Sequence, residues 1–433
     1  MFFKGGNMLD IKLIRENPEI IRKDLEKRRR DDKLKELDEI IELDKIWRNS
    51  LQEVEKLKQQ RNTLSKQVNE VKKAGKDATD ILNQVKEIPS KIKTLEEDVE
   101  RIKSKINSML MCMPNILHES VPIGADDSEN KVERFVLKKP SFDFTPISHV
   151  DLIEKYGVAD IERASKISGA RWYFLLGDLA MLDFALQKYA LDFMYKKGYT
   201  IVYPPFMMNK KAYEGVTDLK DFEDVMYKIE GEDLYMIATS EHPLTARFQD
   251  EVLDDKSLPQ KYVGISACFR KEAGAHGKDT KGIFRVHQFN KIEQIIFCKP
   301  EESWALHEEL INNACELFES LGIHGRVVNV CTGDIGTVAA KKYDFEAWMP
   351  VQNTFREMVS CSNCTDYQAR RLNIRYNSGD GNKMVHTLNS TAIATTRAMV
   401  AIIENHQDKE GNIHIPKVLH QYTNGVTVIK AKK

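Results

Sequence analysis

Two runs of apolar residues on alternating three- and four-residue spacing, parted by one short polar break, constrain this chain more than any other feature. The first run carries Val54, Leu57, Leu64, Val68 and Val71, with Arg61 breaking one position. The second carries Ile81, Val85, Ile88, Ile92, Leu95, Val99, Ile102, Ile106 and Met109. Between them stands "KKAGKDATD", 72–80, with the only glycine of the region. This spacing lays one apolar stripe along a helix. Two striped helices joined by a short break fold back as an antiparallel coiled-coil hairpin, here over about 34–110. At ~1.5 Å per residue, limbs of roughly 30–35 residues make an arm on the order of 50 Å long. Pro89 predicts either a kink in the second limb or a regular helix that begins near Ser90. Upstream, residues 10–30 read as a short helical unit, with Pro18 and Glu19 after Asn17 marking a helix start.

The heptads alone equally suit a dimerisation coiled coil. The charges near the break point elsewhere: Lys58, Arg61, Lys66, Lys72, Lys73 and Lys76 stand against Glu70 and Asp77. A protruding rod with a basic tip suits a polyanion. Residues 1–115 hold 26 Lys and Arg against 22 Asp and Glu, and the remainder 39 against 44. That asymmetry agrees with a basic arm but is common in solvated helices.

The periodicity ends at "MCMPNILHESVPIGADDSEN", 111–130, so the sequence divides into an arm domain, 1–115, and a second domain, 116–433. In the second, amphipathic helices over Leu179–Lys197 and Glu301–Leu321 alternate with β-like runs "YTIVY", "KYVGISACF", "FNKIEQIIF" and "GRVVNVC". Several runs follow one another without a helix between them, which predicts an antiparallel sheet flanked by helices, an α+β class. No stretch approaches ~18 consecutive apolar residues, so neither a membrane span nor a signal peptide is expected. Seven cysteines in 433 residues fit a reducing, cytoplasmic setting. Met8 could be the true start, which would make residues 1–7 an extension.

The stretch "FRKEAGAHGKDTKGIFRVHQF", Phe269–Phe289, concentrates chemistry. Strand alternation would put Arg270 and Glu272 on one face. Arg285, Val286 and Phe289 would return on the second β-like run, with 273–284 as the tip loop. Guanidinium groups clamp phosphate or carboxylate, and an aromatic ring stacks on a base. The set suits a nucleoside triphosphate held at both ends; it equally suits a plain ion-paired hairpin. Three further segments bear on the choice. "ATSEHPLTARF" offers Thr239 and Glu241 with little bulk. "EMVSCSNCTDYQARR" sets Glu357 and Ser360 three residues apart, a carboxylate and a hydroxyl that can share a hard cation. "HTLNSTAIATTRAMVAIIENHQ" brings Arg397 into a helix after small residues.

Together these segments resemble the class II aminoacyl-tRNA synthetases. The Phe-Arg-x-Glu hairpin is similar to their second motif, and Arg397 to the arginine of the third. The helix Leu179–Lys197 followed by "GYTIVYPPF" is similar to the dimer-forming first. More narrowly, "ATSEHP", "FRKEAGAHGKDTKGIFRVHQFNKIEQ", "YDFEAWMP", "CSNCTDYQARR", "HTLNSTAIATTR", "MLDIKLIRENPE" and "MPNILHESVP" resemble the seryl-tRNA synthetase family over nearly the whole chain.

The resemblance implies a homodimeric enzyme that activates L-serine with ATP and Mg²⁺. It then esterifies tRNA(Ser), and tRNA(Sec) where that exists. It implies that Arg270 bridges the serine carboxylate and α-phosphate, Glu272 receives the adenine amino group, and Phe289 stacks on adenine. Arg285 reaches the γ-phosphate, Arg397 covers the other side of the triphosphate, and Glu357 and Ser360 hold Mg²⁺. Lys271, Val286, Met358 and Val359 complete the implied ATP contacts. Thr239, Ser240, Glu241, Arg270, Glu293, Asn389 and Thr391 are the implied serine contacts. Where many members read Asn-Gly-Ser, this chain reads Asn389-Ser390-Thr391, a departure that bears on threonine exclusion. The arm is implied to grip the long variable arm of the tRNA, and to serve the partner subunit's active site.

Cys361-x-x-Cys364 invites zinc, but no second such pair completes four ligands, so no zinc is expected. His276, His287 and His386 are read as loop or supporting residues, because the first step removes no proton. Two other functions fit parts of the pattern. A catalytically dead tRNA-binding relative would lack Arg270, Glu272, Glu357 or Arg397, and a ligase loading an amino acid onto a carrier protein would lack the arm.

Overall fold

The structure is a computed structural model that describes residues 11–217, 225–272 and 281–430. The N-terminal extension with Met8, and loop residues 273–280 with Gly274, Gly277 and His276, lie outside the described residues. The chain divides into two compact units at Pro114/Asn115.

The first unit is helical: α1 Ile11–Glu16, α2 Pro18–Lys27, α3 Asp31–Lys73 and α4 Thr79–Leu110. Its seam is the predicted one, with Val54, Ile88 and Ile92 buried and Leu57, Leu64, Leu95 and Val99 packed beside them. Fully burying one such side chain is worth about 1.5–3 kcal/mol. Lys105 pairs with Glu39 at 2.5 Å and Lys58 with Glu96 at 3.1 Å, which fixes the antiparallel sense. The break forms because Gly75 adopts φ +68°, and the Lys76 N–H then donates to the Val71 carbonyl at 3.1 Å. This closes α3 in the manner of a glycine C-cap. Asp77 accepts from the Thr79 N–H at 3.0 Å and opens α4.

The alternative that the second limb begins near Ser90 is corrected: α4 runs unbroken through Pro89. The ring is exposed while Ile88 and Ile92 on the seam are buried, so packing outweighs a missing N–H at one solvent-side position. We expect Pro89→Ala to restore a donor for the Val85 carbonyl and to stabilise this limb by about 1–3 kcal/mol. Amide hydrogen exchange should slow around 85–93; unchanged or faster exchange would contradict the assignment.

The second unit is built on an eight-stranded sheet. Its strands are β1 Lys131–Val136, β2 Thr200–Val202, β3 Gln260–Phe269, β4 Gln288–Cys298, β5 Gly325–Asn329, β6 Lys341–Met349, β7 Thr354–Asn363 and β8 His386–Ala394. The order is β1-β5-β6-β7-β8-β4-β3-β2, antiparallel throughout except for the edge pair β2 and β3. Helices α5 Gly177–Lys196, α7 Ser303–Ser320 and α9 Thr395–Asn405 pack with it; α6 Glu241–Ala246 and α8 Tyr367–Leu372 are short.

Period-two alternation sorts the sheet into two faces. On β4, Ile292, Ile296 and Cys298 enter the large core with Leu179, Leu182, Leu310 and Met399. Ile295 and Phe297 enter a second cluster with Tyr213, Leu244 and Leu372. Lys291 and Glu293 share the phase of Ile295 and Phe297.

Candidate functional site

Backbone register decides which side chains meet on that second face. On β7, regular alternation would send Glu357 the same way as Val359 and Cys361, into the large core. Pairing with β6 slips by one residue instead: Phe345 faces Val359, but Glu346 faces Glu357. The extra residue, Met358, is buried in the core beside Val359. This β-bulge returns Glu357 to the face of Ser360. A second bulge, between Thr391 and Ile393 on β8, sends Ala392 and Ile393 to the core.

The hairpin differs from its expected geometry. β3 ends at Phe269, so Arg270 and Glu272 lie beyond it and strand alternation does not pair them. Glu272 has φ +50°, an uncommon conformation for a residue with a side chain. Likewise β4 starts at Gln288, so Arg285 and Val286 precede the strand. They converge nonetheless: Arg270, Glu272, Arg285, Val286, Phe289 and Arg397 line one pocket, with Phe284 and Thr396. The Arg270 N–H donates to the His287 carbonyl at 2.9 Å, and His287 Nδ1 lies 2.7 Å from the Arg270 carbonyl. Arg270 Nε donates to the Ala238 carbonyl at 3.2 Å, and its guanidinium carbon stands 5.2 Å from the centre of the Phe289 ring. Arg285 pairs with Glu272 at 2.9 Å, although the family likeness assigns these two to opposite ends of a nucleotide.

Arg397, in the first turn of α9, donates to the Glu357 carbonyl at 2.9 Å and lies 3.5 Å from its carboxylate. Partial desolvation among the crowded pocket groups would raise the Glu357 pKa, but Arg397, Lys342, Arg270 and Arg285 together hold it below the usual carboxylate range. Glu357 and Ser360 thus offer one ionised carboxylate and one hydroxyl on a single face. That set fits a hard cation whose other ligands are substrate and water oxygens. Among the described residues, no group of three or more His, Cys, Asp or Glu side chains is placed to hold a metal ion.

A second cluster of polar side chains lies within electrostatic reach of Arg270. Glu241 Oε1 accepts from Asn389 at 3.1 Å and from Gln368 at 3.3 Å. Gln368 in turn accepts from the Thr387 hydroxyl at 2.6 Å. Thr239 Oγ1 accepts from the Glu241 N–H at 3.1 Å. Glu293 accepts from Thr391 Oγ1 at 3.2 Å and pairs with Lys291 at 2.7 Å. Burial, then repulsion from Glu293, pushes the Glu241 carboxyl up to about 7. Two carboxyl groups in a buried setting, with the Arg270 guanidinium close by, suit an ammonium and a carboxylate held together.

Other predicted residues contribute differently. The Met358 and Val359 side chains belong to the core, which leaves only their backbone for a ligand. Ser240 is fully buried, packed where a side chain on Gly264 would lie. Lys271 reaches over the Tyr227 ring instead of lining the pocket. Cys361 and Cys364 are buried, which raises both thiols well above the ordinary range. His386 Nδ1 lies 2.9 Å from the Ser303 hydroxyl. On the arm, Lys66, Lys72, Lys73 and Lys76 are exposed; Arg61 is half-buried, and half-buried Lys58 sits between Glu55 and Glu96. Sequence reasoning did not single out Phe284, Lys291 or Gln368. Only Lys291 carried a usable signal, its two-residue spacing from Glu293 on a strand.

Comparison with known proteins gives this geometry a class. The model for the tRNA synthetase class II core domain (G, H, P, S and T) matches residues 225–406. A prolyl-tRNA synthetase of Giardia lamblia shares the fold, with a TM-score of 0.56 at 16% identity, over 64% of this chain and 57% of that one. The seryl-tRNA synthetase N-terminal domain model matches residues 8–117. A curated serine–tRNA ligase of Thermococcus onnurineus is 54% identical over 98% of both chains. A seryl-tRNA synthetase of Pyrococcus horikoshii, solved in complex with ATP, superposes with a TM-score of 0.95 at 51% identity, covering 98% of this chain and all of that one. The chain belongs to the seryl-tRNA synthetase family.

Proposed function

We propose that this chain is a serine–tRNA ligase. It forms seryl-adenylate and pyrophosphate from L-serine and ATP, then transfers serine to the 3′ end of tRNA(Ser), and of tRNA(Sec) where that exists. The observation that carries this reading is the meeting of Arg270, Arg285 and Arg397 around one pocket, next to the Glu241–Asn389 and Glu293–Thr391 pairs.

The first step needs no base, because the serine carboxylate is already ionised. Its oxygen attacks the α-phosphorus, the bond to the bridging oxygen breaks, and pyrophosphate leaves. The difficulty is the repulsion between two anions and the charge that builds at phosphorus; fixed cations and alignment answer it. Arg270, pinned at its backbone by His287, bridges carboxylate and α-phosphate. Arg285 leaves Glu272 for the γ-phosphate, which frees Glu272 for the adenine amino group, and Phe289 stacks on the base. Arg397 flanks the triphosphate. Lys271, Val286, Met358 and Val359 border the nucleotide, the last two through their backbone. Glu357 and Ser360 would hold Mg²⁺, which supplies charge neutralisation on the phosphates when bound.

Glu293 receives the serine ammonium. Thr239, Ser240, Glu241, Asn389 and Thr391 wall the end that meets the hydroxyl. Rejection of alanine and glycine follows because their binding leaves buried polar groups unpaired.

The basic arm contacts tRNA backbone, and the enzyme works as a cytoplasmic homodimer. Exposed Phe184 and Tyr195 on α5, with Tyr203 just after edge strand β2, support the pairing. No helix among the described residues is long and apolar enough to cross a membrane. The direct test is pyrophosphate exchange into ATP. We expect it to depend on serine and to be negligible with glycine or alanine. Exchange driven by alanine or glycine in place of serine would redirect the assignment.

A further inference from the structure

The mechanism above gives Lys291 no part, yet its placement is unusual for a lysine. Its side chain is 7% exposed and its partner Glu293 is 2% exposed. It stands on β4 two residues before Glu293 and on the same face. Its Nζ and the Thr391 hydroxyl both meet Glu293 Oε2, at 2.7 and 3.2 Å, and two donors on one oxygen fix the rotation of the carboxylate.

The charged and titratable groups around this pair come from every neighbouring element. Glu241 and His242 come from α6, Cys268 from β3, Arg270 from the hairpin and Cys361 from β7. His242 is held neutral by burial together with Lys291 and Arg270, and burial keeps both thiols protonated. The groups that remain are two carboxyls, Glu293 and a Glu241 that is itself only partly ionised near neutral pH, against two cations, Lys291 and Arg270. Serine adds one charge of each sign. Without Lys291, two buried carboxylates would share one guanidinium, and like charges in a dry site are relieved by taking up a proton. A protonated Glu293 cannot hold an ammonium.

We propose that Lys291 is a positioning residue for serine recognition: its ammonium balances the charge of Glu293 and, with the Thr391 hydroxyl, aims the carboxylate so that Glu293 can receive the amino group of the substrate. This rests on the seryl-adenylate reading above. The full chain, and its Lys291→Met and Lys291→Arg variants, would be compared by pyrophosphate exchange between pH 6.0 and 8.5, with KM measured separately for serine and ATP. In the methionine variant the site has lost one buried positive charge, a loss that proton uptake can offset as pH falls. Its serine KM should therefore exceed wild type by about tenfold or more at pH 7, equivalent to about 1.4 kcal/mol of lost binding. The gap should widen at pH 6 and narrow at pH 8.5, while the KM for ATP stays within about twofold. The arginine variant keeps the charge and should restore a pH profile parallel to wild type. A methionine defect that is the same at every pH, or that falls equally on ATP, would overturn the proposal and leave Lys291 a packing residue. So would an arginine variant with the same acid-side loss, a comparison that serves even if the methionine variant does not fold. A wild-type chain with no serine-dependent exchange would sink the activity reading itself, which separates the two failures.

Discussion

Arg270→Gln should lower serine-dependent pyrophosphate exchange by at least about 10²–10³-fold, the scale of removing one preorganised donor worth ~3–4 kcal/mol. Glutamine keeps much of the length and polarity but not the charge that two anions must share. The loss should fall on kcat as well as on KM, because the need for that charge is greatest as bonds change at phosphorus. Pinning by His287 and the main-chain contact to Ala238 show why a neighbour cannot take over: the guanidinium is delivered from a fixed point at the end of β3. Arg285 is paired with Glu272, and Arg397 leans on Glu357. Exchange within tenfold of wild type, in a variant with an unchanged melting temperature, would remove the basis of the mechanism.

The second large effect concerns the arm. Changing Lys58, Arg61, Lys66, Lys72, Lys73 and Lys76 together to glutamine should reduce kcat/KM for charging tRNA by at least about 10²-fold at physiological salt, since each lost phosphate contact lowers the salt slope by roughly 0.7–0.9. Serine-dependent exchange should be unaffected, because these residues belong to the separate unit 9–114. The six should not contribute equally. Lys58 lies within 3.1 Å of Glu96 and 3.4 Å of Glu55, so part of its charge is already answered within the arm. Exposed Lys72, Lys73 and Lys76 lie at the turn. Charging that survives the six changes with an unaltered salt slope would show that tRNA is bound elsewhere.

These two cases mark where the sequence was legible. The arm could be read in detail because its rule is local: a 3.5-residue period buries one stripe wherever the chain is helical, and Val54, Ile88 and Ile92 sit as that rule demands. Pro89 was misjudged in one alternative because propensity is weak against a seam packed on either side of it. In the second unit the family likeness named Arg270, Glu272, Arg285, Val286, Phe289 and Arg397, which line one pocket, but it gave neither their geometry nor the neighbouring Phe284 and Thr396. Strand alternation appeared to pair Arg270 with Glu272, yet the strand stops one residue short and the two meet through a loop with an uncommon backbone conformation. Lys291 was overlooked because a lysine in a strand normally points to water. Only the position of its neighbours on both sides of β4 shows that this one does not.

The slip at Met358 carries a consequence for how this site can be lost. The carboxylate at 357 faces outward because the strand holds one amino acid more than its neighbour opposite. Phase, as well as chemistry, is therefore what the position encodes. A different apolar side chain at 358 would leave the outward aim in place. Excising that single residue would turn the carboxylate toward the hydrophobic interior, with every functional group still present in the polypeptide. The vulnerability of this wall thus lies in its length, where a one-codon deletion can do what few point substitutions could.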